Sequence, residues 1–299
     1  MQQKIPVIGF VGLGVMGGPM CANVAKKHAA PVHAFDLSPS ALASVKAAGA
    51  VVAASVADVA QAADIVFLSL PGGKQVQEVC FGASGLARAG KAGLLVVDLS
   101  TTSVADARLV GERLAESGMQ FADAPVARTR QAAQDGTLSI MVGASDATFA
   151  RIAPLLAYMG SDVTHCGDIG CGQVVKLINN TLVFEHVAAL AEMMVVAERA
   201  GVAPETLLQA VSKGSGDSFV LRNHATKAMV PRTFPERAFP STYVLKDLGY
   251  AIELAESMDV EPRLPRLVET YYRSAVDQGL AEKYFPAIIE VIDKGQPKA

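Results

Sequence analysis

The run Val174-Val175-Lys176-Leu177-Ile178-Asn179-Asn180, which follows Gly172-Gln173, sets one ammonium and two amides in an otherwise apolar stretch. Residues three and four apart share a helix face, so a helix here puts Asn179 and Asn180 beside Lys176 and apolar side chains over most of the rest. A lysine drawn out of water loses basicity and becomes able to give and take back a proton, which suits general acid-base work on an oxygen. The pattern alone fits equally well a lysine that snorkels to the surface along its own stem.

A second group of residues supplies a reason for such a proton. From Ile5 to Met20 an apolar, strand-like run breaks into Gly12-Leu13-Gly14-Val15-Met16-Gly17 and restarts with helical spacing. In G-x-G-x-x-G, Gly12 makes the tight turn, Gly14 lets the backbone approach a pyrophosphate and Gly17 lets helix pack on strand. The helix that starts there aims unpaired N–H groups and its positive end at the phosphates. Asp36 follows about twenty residues later, at the end of the next apolar run, where a carboxylate accepts hydrogen bonds from the adenosine ribose and repels a 2′-phosphate. No arginine follows it, so NAD is the expected cofactor and NADP the alternative. Taken alone, Asp36 also reads as an ordinary turn cap. Dinucleotide binding makes hydride transfer the default reaction, and that chemistry requires a proton donor and acceptor beside the reacting carbon.

The elements that must position these groups alternate. Strand-like runs at Val51-Val52, Asp64 to Leu70, Leu94 to Asp98, Phe121 to Ala124, Leu138 to Val142 and Val163 to Cys166 are interleaved with helical ones, and Ser100 to Ser103 reads as a polar cap for a helix running to Ser117. Alternation of this kind implies parallel strands with helices on both faces. Beyond Gly167 the character changes. Cys171 to Ala200 reads as one long apolar helix bridging two domains, followed by helices near Glu205 to Val211, Phe219 to Met229, Ser241 to Met258, Arg263 to Gln278 and Pro286 to Lys294. The expected division is 1–166, a Rossmann domain, and 167–299, an all-α substrate and oligomerisation domain.

Composition bounds the remaining possibilities. The chain has 299 residues, room for two domains, and 51% of them are apolar, which raises the question of a membrane. The uncharged run from Ile5 to Ala25 is the obvious candidate, but its glycines and prolines would break a spanning helix and fit the nucleotide turn better. Twenty-six basic and 29 acidic residues are spread along the chain without a basic block, so neither nucleic acid nor an anionic membrane is an expected partner. Cys21, Cys80, Cys166 and Cys171 have no metal-ligand spacing and read as reduced thiols, placing the protein in the cytoplasm with no metal expected. The alanine-rich, apolar second half suggests a homo-oligomer.

The sequence resembles the β-hydroxyacid dehydrogenase family over nearly its whole length. The likeness rests on residues 12 to 20, Leu70-Pro71, Asp98-Leu99-Ser100-Thr101, Asp123-Ala124-Pro125-Val126, Gly136-Thr137-Leu138, the Gly-x-x-x-Lys-x-x-Asn-Asn of 172 to 180, and Lys246-Asp247-Leu248. It implies a Rossmann domain followed by an all-α domain, with substrate in the cleft under the long helix. Lys176 becomes the proton donor in reduction and the base in oxidation, while Asn179 and Asn180 bind substrate. The turn including Val15 and Met16, with Asp36, Leu70, Pro71 and Thr101, lines the cofactor, and Lys246 reaches the nicotinamide side. Without the resemblance, Lys246 beside Asp247 reads as a solvated pair. The family implies a homodimer or homotetramer acting on a small anionic hydroxy acid or semialdehyde.

One departure bears on the substrate. Where much of the family has Ser-Gly-Gly after Asp-Ala-Pro-Val, this chain has Ala127-Arg128-Thr129 followed by Arg130. Arg128 offers a planar fork for a carboxylate or a sulfonate, and the segment is similar to the Gly-Arg-Thr of sulfolactaldehyde reductases. Two readings of the activity therefore stand: a short 3-hydroxy acid dehydrogenase, or a sulfolactaldehyde reductase using Arg128. A non-catalytic NAD-binding module is the alternative from a different class, and an intact Lys176 and Asn180 speak against it.

Overall fold

The computed structural model describes residues 5–236 and 238–295; the outermost residues of the two expected domains, 1–4 and 296–299, lie outside it. It divides into two compact units, Met1–Lys176 and Leu177–Ala299.

In the first unit, strands β1 (Ile8–Val11), β2 (Val32–Phe35), β3 (Val51–Val52), β4 (Ile65–Leu68), β5 (Leu95–Asp98) and β6 (Gln120–Asp123) pair in parallel. The connecting helices are α1 (Gly17–Lys27), α2 (Pro39–Ala47), α3 (Val56–Ala62), α4 (Gly73–Phe81), α5 (Leu86–Ala89) and α6 (Val104–Glu116). Every residue of β1, β4 and β5 is buried, as expected of strands covered on both faces. Alternate side chains feed two separate cores: Ile8, Phe10, Ile65 and Phe67 pack on one side, Val11, Val66, Leu68 and Val96 on the other. The polar turn after β5 does cap α6, since Ser103 Oγ accepts the Asp106 N–H at 3.0 Å.

The rest of the sheet departs from simple alternation. After β6 come β7 (Val126–Ala127), α7 (Arg130–Asp135), β8 (Leu138–Gly143), α8 (Asp146–Leu156) and β9 (Gly160–Gly167), giving nine strands with the order β3-β2-β1-β4-β5-β6-β8-β7 and β9 on β8. Strand β8 runs antiparallel to β6 and β7 and parallel to β9. Between β7 and β8 the chain has fewer than the dozen or so residues a parallel crossover requires, so it must turn back on itself.

The helix α9 (Cys171–Arg199) starts in the first unit, and the division falls inside it. Its length and mean hydropathy of 1.3 would suit a membrane, yet Phe184, Val187, Ala191 and Met194 are buried in the core of the second unit. That core is completed by α10 (Pro204–Val211), a π-helical stretch Leu221–Met229, α11 (Ser241–Ser257), α12 (Arg263–Ala275) and α13 (Ile288–Lys294). Among the described residues of this unit the only β pairing is two isolated bridges, Glu236 with Lys283 and Pro240 with Tyr284. The sequence suggests one helix to Gln278, but α12 ends at Ala275 and gives way to a π turn in which Gly279 has φ +81°.

Candidate active site

The glycine turn is built to receive a phosphate. Gly12 has φ +92°, and a Cβ there would stand 2.2 Å from the Ser69 carbonyl oxygen; one on Gly17 would stand 2.1 Å from that of Gly12. At Gly14, by contrast, a Cβ would meet nothing within 4 Å, so the missing side chain leaves open space against bare backbone. Met16, the cap of α1, makes no side-chain capping bond; the Gly18 N–H donates to the Gly14 carbonyl at 3.0 Å and Pro19 has no N–H, so the Gly17 N–H is the helix-end donor that a phosphate would meet. Asp36 is held in place by the Leu13 N–H at 2.6 Å and the Ser38 N–H at 2.7 Å. These residues fit a dinucleotide: Gly12 to Gly17, with Val15 and Met16, at the pyrophosphate, and Asp36 at the ribose.

Two further sequence candidates, Leu70 and Thr101, stand on the loops after β4 and β5, which a hydrogen bond joins. The Leu70 N–H donates to Ser100 Oγ at 2.9 Å, and the Ser100 N–H donates to Asp98 Oδ1 at 2.9 Å, fixing Leu70 near Thr101; Pro71 beside it is exposed. Gln173, fully buried in the first turn of α9, spans the loop after β5: its Nε2 donates to the Ser100 carbonyl at 2.8 Å and its Oε1 accepts the Thr102 N–H at 3.2 Å. Asp123, closing β6, accepts the Gly170 and Gln173 N–H groups at 2.7 and 2.8 Å, so a carboxylate caps the start of α9. Its carboxyl is nonetheless pushed up to about 6, because loss of solvent outweighs those bonds. Lys176, one turn beyond Gln173, is only 7% exposed, which removes the reading of a lysine snorkelling outward.

In the second unit a chain of polar side chains ends on a buried acid. Asn179 Nδ2 donates to Asn180 Oδ1 at 3.1 Å, Asn180 Nδ2 donates to Asp247 Oδ2 at 2.7 Å, and Lys246 Nζ lies 3.0 Å from Asp247 Oδ1. Asp247 is 2% exposed, while Lys246 is half-buried with its ammonium 5.1 Å from the centre of the Tyr250 ring, so the acid of this pair is out of solvent and the pair is not the fully solvated one that the sequence alone suggests.

The substrate-loop candidates fare differently. Ala127 is buried in β7, and Thr129 caps α7 by accepting the Ala132 N–H at 3.4 Å. Arg128 does not present an open fork. Its Nη1 donates to the Thr137 carbonyl at 2.6 Å and to Ser161 Oγ at 3.0 Å, and its Nη2 to Asp162 Oδ2 at 2.8 Å. Ser161 and then Arg128 hold the Asp162 carboxyl below its ordinary range, and three of the five guanidinium N–H donors are used within its own unit.

Sequence reasoning gave no role to Asp123, Gln173 and Asp247, which the structure buries and hydrogen-bonds around the candidate site residues. Each stands in a stretch that was singled out, and the available signal was a polar residue inside an apolar run, which has to find partners when buried.

The fold and the nucleotide turn define an NAD(P)-binding oxidoreductase. Residues 7–167 match the family model described as the NAD binding domain of 6-phosphogluconate dehydrogenase, and residues 170–292 match that described as the NAD-binding part of NADP-dependent 3-hydroxyisobutyrate dehydrogenase. The chain is 37% identical to 2-(hydroxymethyl)glutarate dehydrogenase of Eubacterium barkeri over 97% of its own length and 96% of that protein's. It is 31% identical to 2-hydroxy-3-oxopropionate reductase of Escherichia coli, over 96% and 97% of the two chains. The solved structure of Mycobacterium tuberculosis 3-hydroxyisobutyrate dehydrogenase with L-serine superposes with a TM-score of 0.87 at 30% identity, covering 97% of this chain and 99% of that one. The chain therefore belongs to the β-hydroxyacid dehydrogenase family and is an NAD(P)-dependent enzyme acting on CH–OH groups.

Proposed function

We propose that the enzyme interconverts a short 3-hydroxy acid and its semialdehyde with NAD, using Lys176 as general acid and base. The observation that carries this reading is a lysine almost out of solvent in the second turn of α9, on the family's Gly-x-x-x-Lys-x-x-Asn-Asn pattern. Bound nicotinamide supplies the hydride for reduction and accepts it in oxidation. During reduction, Lys176 Nζ gives its proton to the aldehyde oxygen as that oxygen gains charge, and the resulting amine is reprotonated from solvent; oxidation runs the same transfer backwards. Asn179 and Asn180 bind the substrate, and Lys246, held by Asp247, contributes to binding the nicotinamide. Asp36 supports NAD over NADP.

A carboxylate substrate is favoured over a sulfonate because the Arg128 fork is turned to Thr137, Ser161 and Asp162, and a sulfonate would have to draw it off them. The exposed Ile178, Leu182, Met193 and Val196 of α9 support a homodimer or homotetramer, and the free thiols support a cytoplasmic setting.

The test is steady-state NADH oxidation with methylmalonate, tartronate and succinate semialdehydes and with sulfolactaldehyde. A carboxylated semialdehyde is the expected best substrate, and Lys176→Ala is expected to lower kcat by about 10²- to 10⁴-fold while still binding NADH. Full activity in that variant overturns the mechanism, and a preference for sulfolactaldehyde overturns the substrate class.

A further inference from the structure

Gln173 has no role in the chemistry described so far, yet it is the most completely buried polar residue in the first turns of α9, with no exposed surface at all. A buried amide costs free energy unless its donors and acceptor are used, and an apolar residue of the same length would fill the space without that requirement. Its two side-chain bonds are not spent within its helix. They go to the carbonyl of Ser100, at 2.8 Å, and the N–H of Thr102, at 3.2 Å, and so straddle Thr101. Ser100 in turn holds the Leu70 N–H through its hydroxyl. On the other side the main chain of Gln173 is pinned, because its N–H donates to Asp123 Oδ2. The packing there leaves no slack: a Cβ on Gly172 would stand 2.5 Å from the Met141 carbonyl oxygen and 2.8 Å from Asp123 Oδ2. Lys176 follows three residues later on the same helical face.

We propose that Gln173 is a positioning residue for the reaction: its side-chain amide locks the turn of α9 that precedes Lys176 to the backbone on either side of Thr101. The lysine and the loop that lines the cofactor then share one rigid frame, so the proton donor keeps a set distance from the carbon that exchanges hydride. The inference rests on the reading of Lys176 as the acid and base. Geometric registration of this kind matters because a displacement of about 1 Å at a reacting centre costs on the order of 100-fold in rate.

The experiment uses Gln173→Met, which keeps length and apolar bulk and removes both amide bonds. We expect kcat to fall about 10- to 100-fold with NADH affinity near that of the unaltered enzyme, and the melting temperature to drop as the buried Ser100 carbonyl and Thr102 N–H lose their partner. The isotope effect on kcat with NADH deuterated at C4 should rise, since hydride transfer becomes the slow step; a loss of folded enzyme alone would leave that isotope effect unchanged. Unchanged kcat and isotope effect in Gln173→Met, alongside an inactive Lys176→Ala, overturn the positioning role and leave the mechanism standing. An active Lys176→Ala overturns the mechanism itself. Should the methionine variant fail to fold, Gln173→Glu takes the same measurements: it keeps an acceptor for Thr102 and loses the donor to Ser100, so the same fall in kcat and rise in isotope effect are expected, and their absence overturns the proposal.

Discussion

Asp123 in the first unit and Asp247 in the second are both almost wholly out of solvent, and they are satisfied in opposite ways. Asp123 takes backbone N–H groups from Gly170 and Gln173, whereas Asp247 takes the side chains of Asn180 and Lys246. An acid held by main-chain donors fixes the path of a helix; an acid held by an amide and an ammonium fixes the orientation of groups that can touch substrate. Loss of the first should therefore register mainly in folding, and loss of the second in both folding and turnover.

The largest effect is expected at Asp247. Asp247→Ala removes the buried acceptor of the Asn180 amide and the carboxylate beside Lys246, so stability should fall by about 3 kcal/mol and turnover should fall with it. Asp247→Asn keeps an acceptor for Asn180 and should recover much of the stability. Denaturant midpoints and kcat measured side by side check this, and an Asp247→Ala variant with normal turnover would break the contrast.

Asp123→Asn is expected to cost about 1–3 kcal/mol, because one of the two N–H groups then faces an amide N–H. The units should also differ in their response to acid. Burial raises the Asp123 carboxyl from 3.8 to about 6, so the folded state binds its proton more readily; the contribution is fullest below the unfolded value and is lost as pH rises through about 6. Burial, and then Lys227, lowers His224 from 6.5 to about 4, beside the Tyr284 hydroxyl at 2.6 Å. That contribution is complete above 6.5 and is lost as pH falls through about 4. Denaturant midpoints followed across this range should show Asp123→Asn removing the loss on the alkaline side and His224→Gln removing the loss on the acid side.

The smallest effect is expected at Arg128. Its φ of +87° lies in the left-handed region that favours glycine, so Arg128→Gly relieves about 1 kcal/mol of strain and gives up an exposed ion pair of little worth. Melting temperature and KM for a carboxylated semialdehyde should barely move. A steep rise in KM would show that the guanidinium leaves Asp162 for the substrate.

Much of this molecule was legible in its sequence because the relevant physics is local. The glycines at 12 and 17 declare a turn that no side chain fits and Gly14 an open approach to bare backbone, Ser103 declares a cap, and the apolar run after Cys171 declares a long helix, each within a few residues of chain. Lys176 was legible only in part, since its amides and apolar neighbours fit a snorkelling side chain equally well until its burial was seen. What stayed hidden depends on residues far apart. Arg128 reads as an open anion fork until Asp162 is seen to fill it, and Lys246-Asp247 reads as a surface pair until its acid is seen to be out of solvent. The antiparallel β8 could be inferred only from a connection too short for a crossover. The sequence by itself determined the kinds of element, the nucleotide turn and the class of chemistry, since periodicity, capping and turn geometry act over a handful of bonds. Only the tertiary structure decided which polar groups are free to act, because a side chain's availability depends on which distant partner has already claimed its hydrogen bonds.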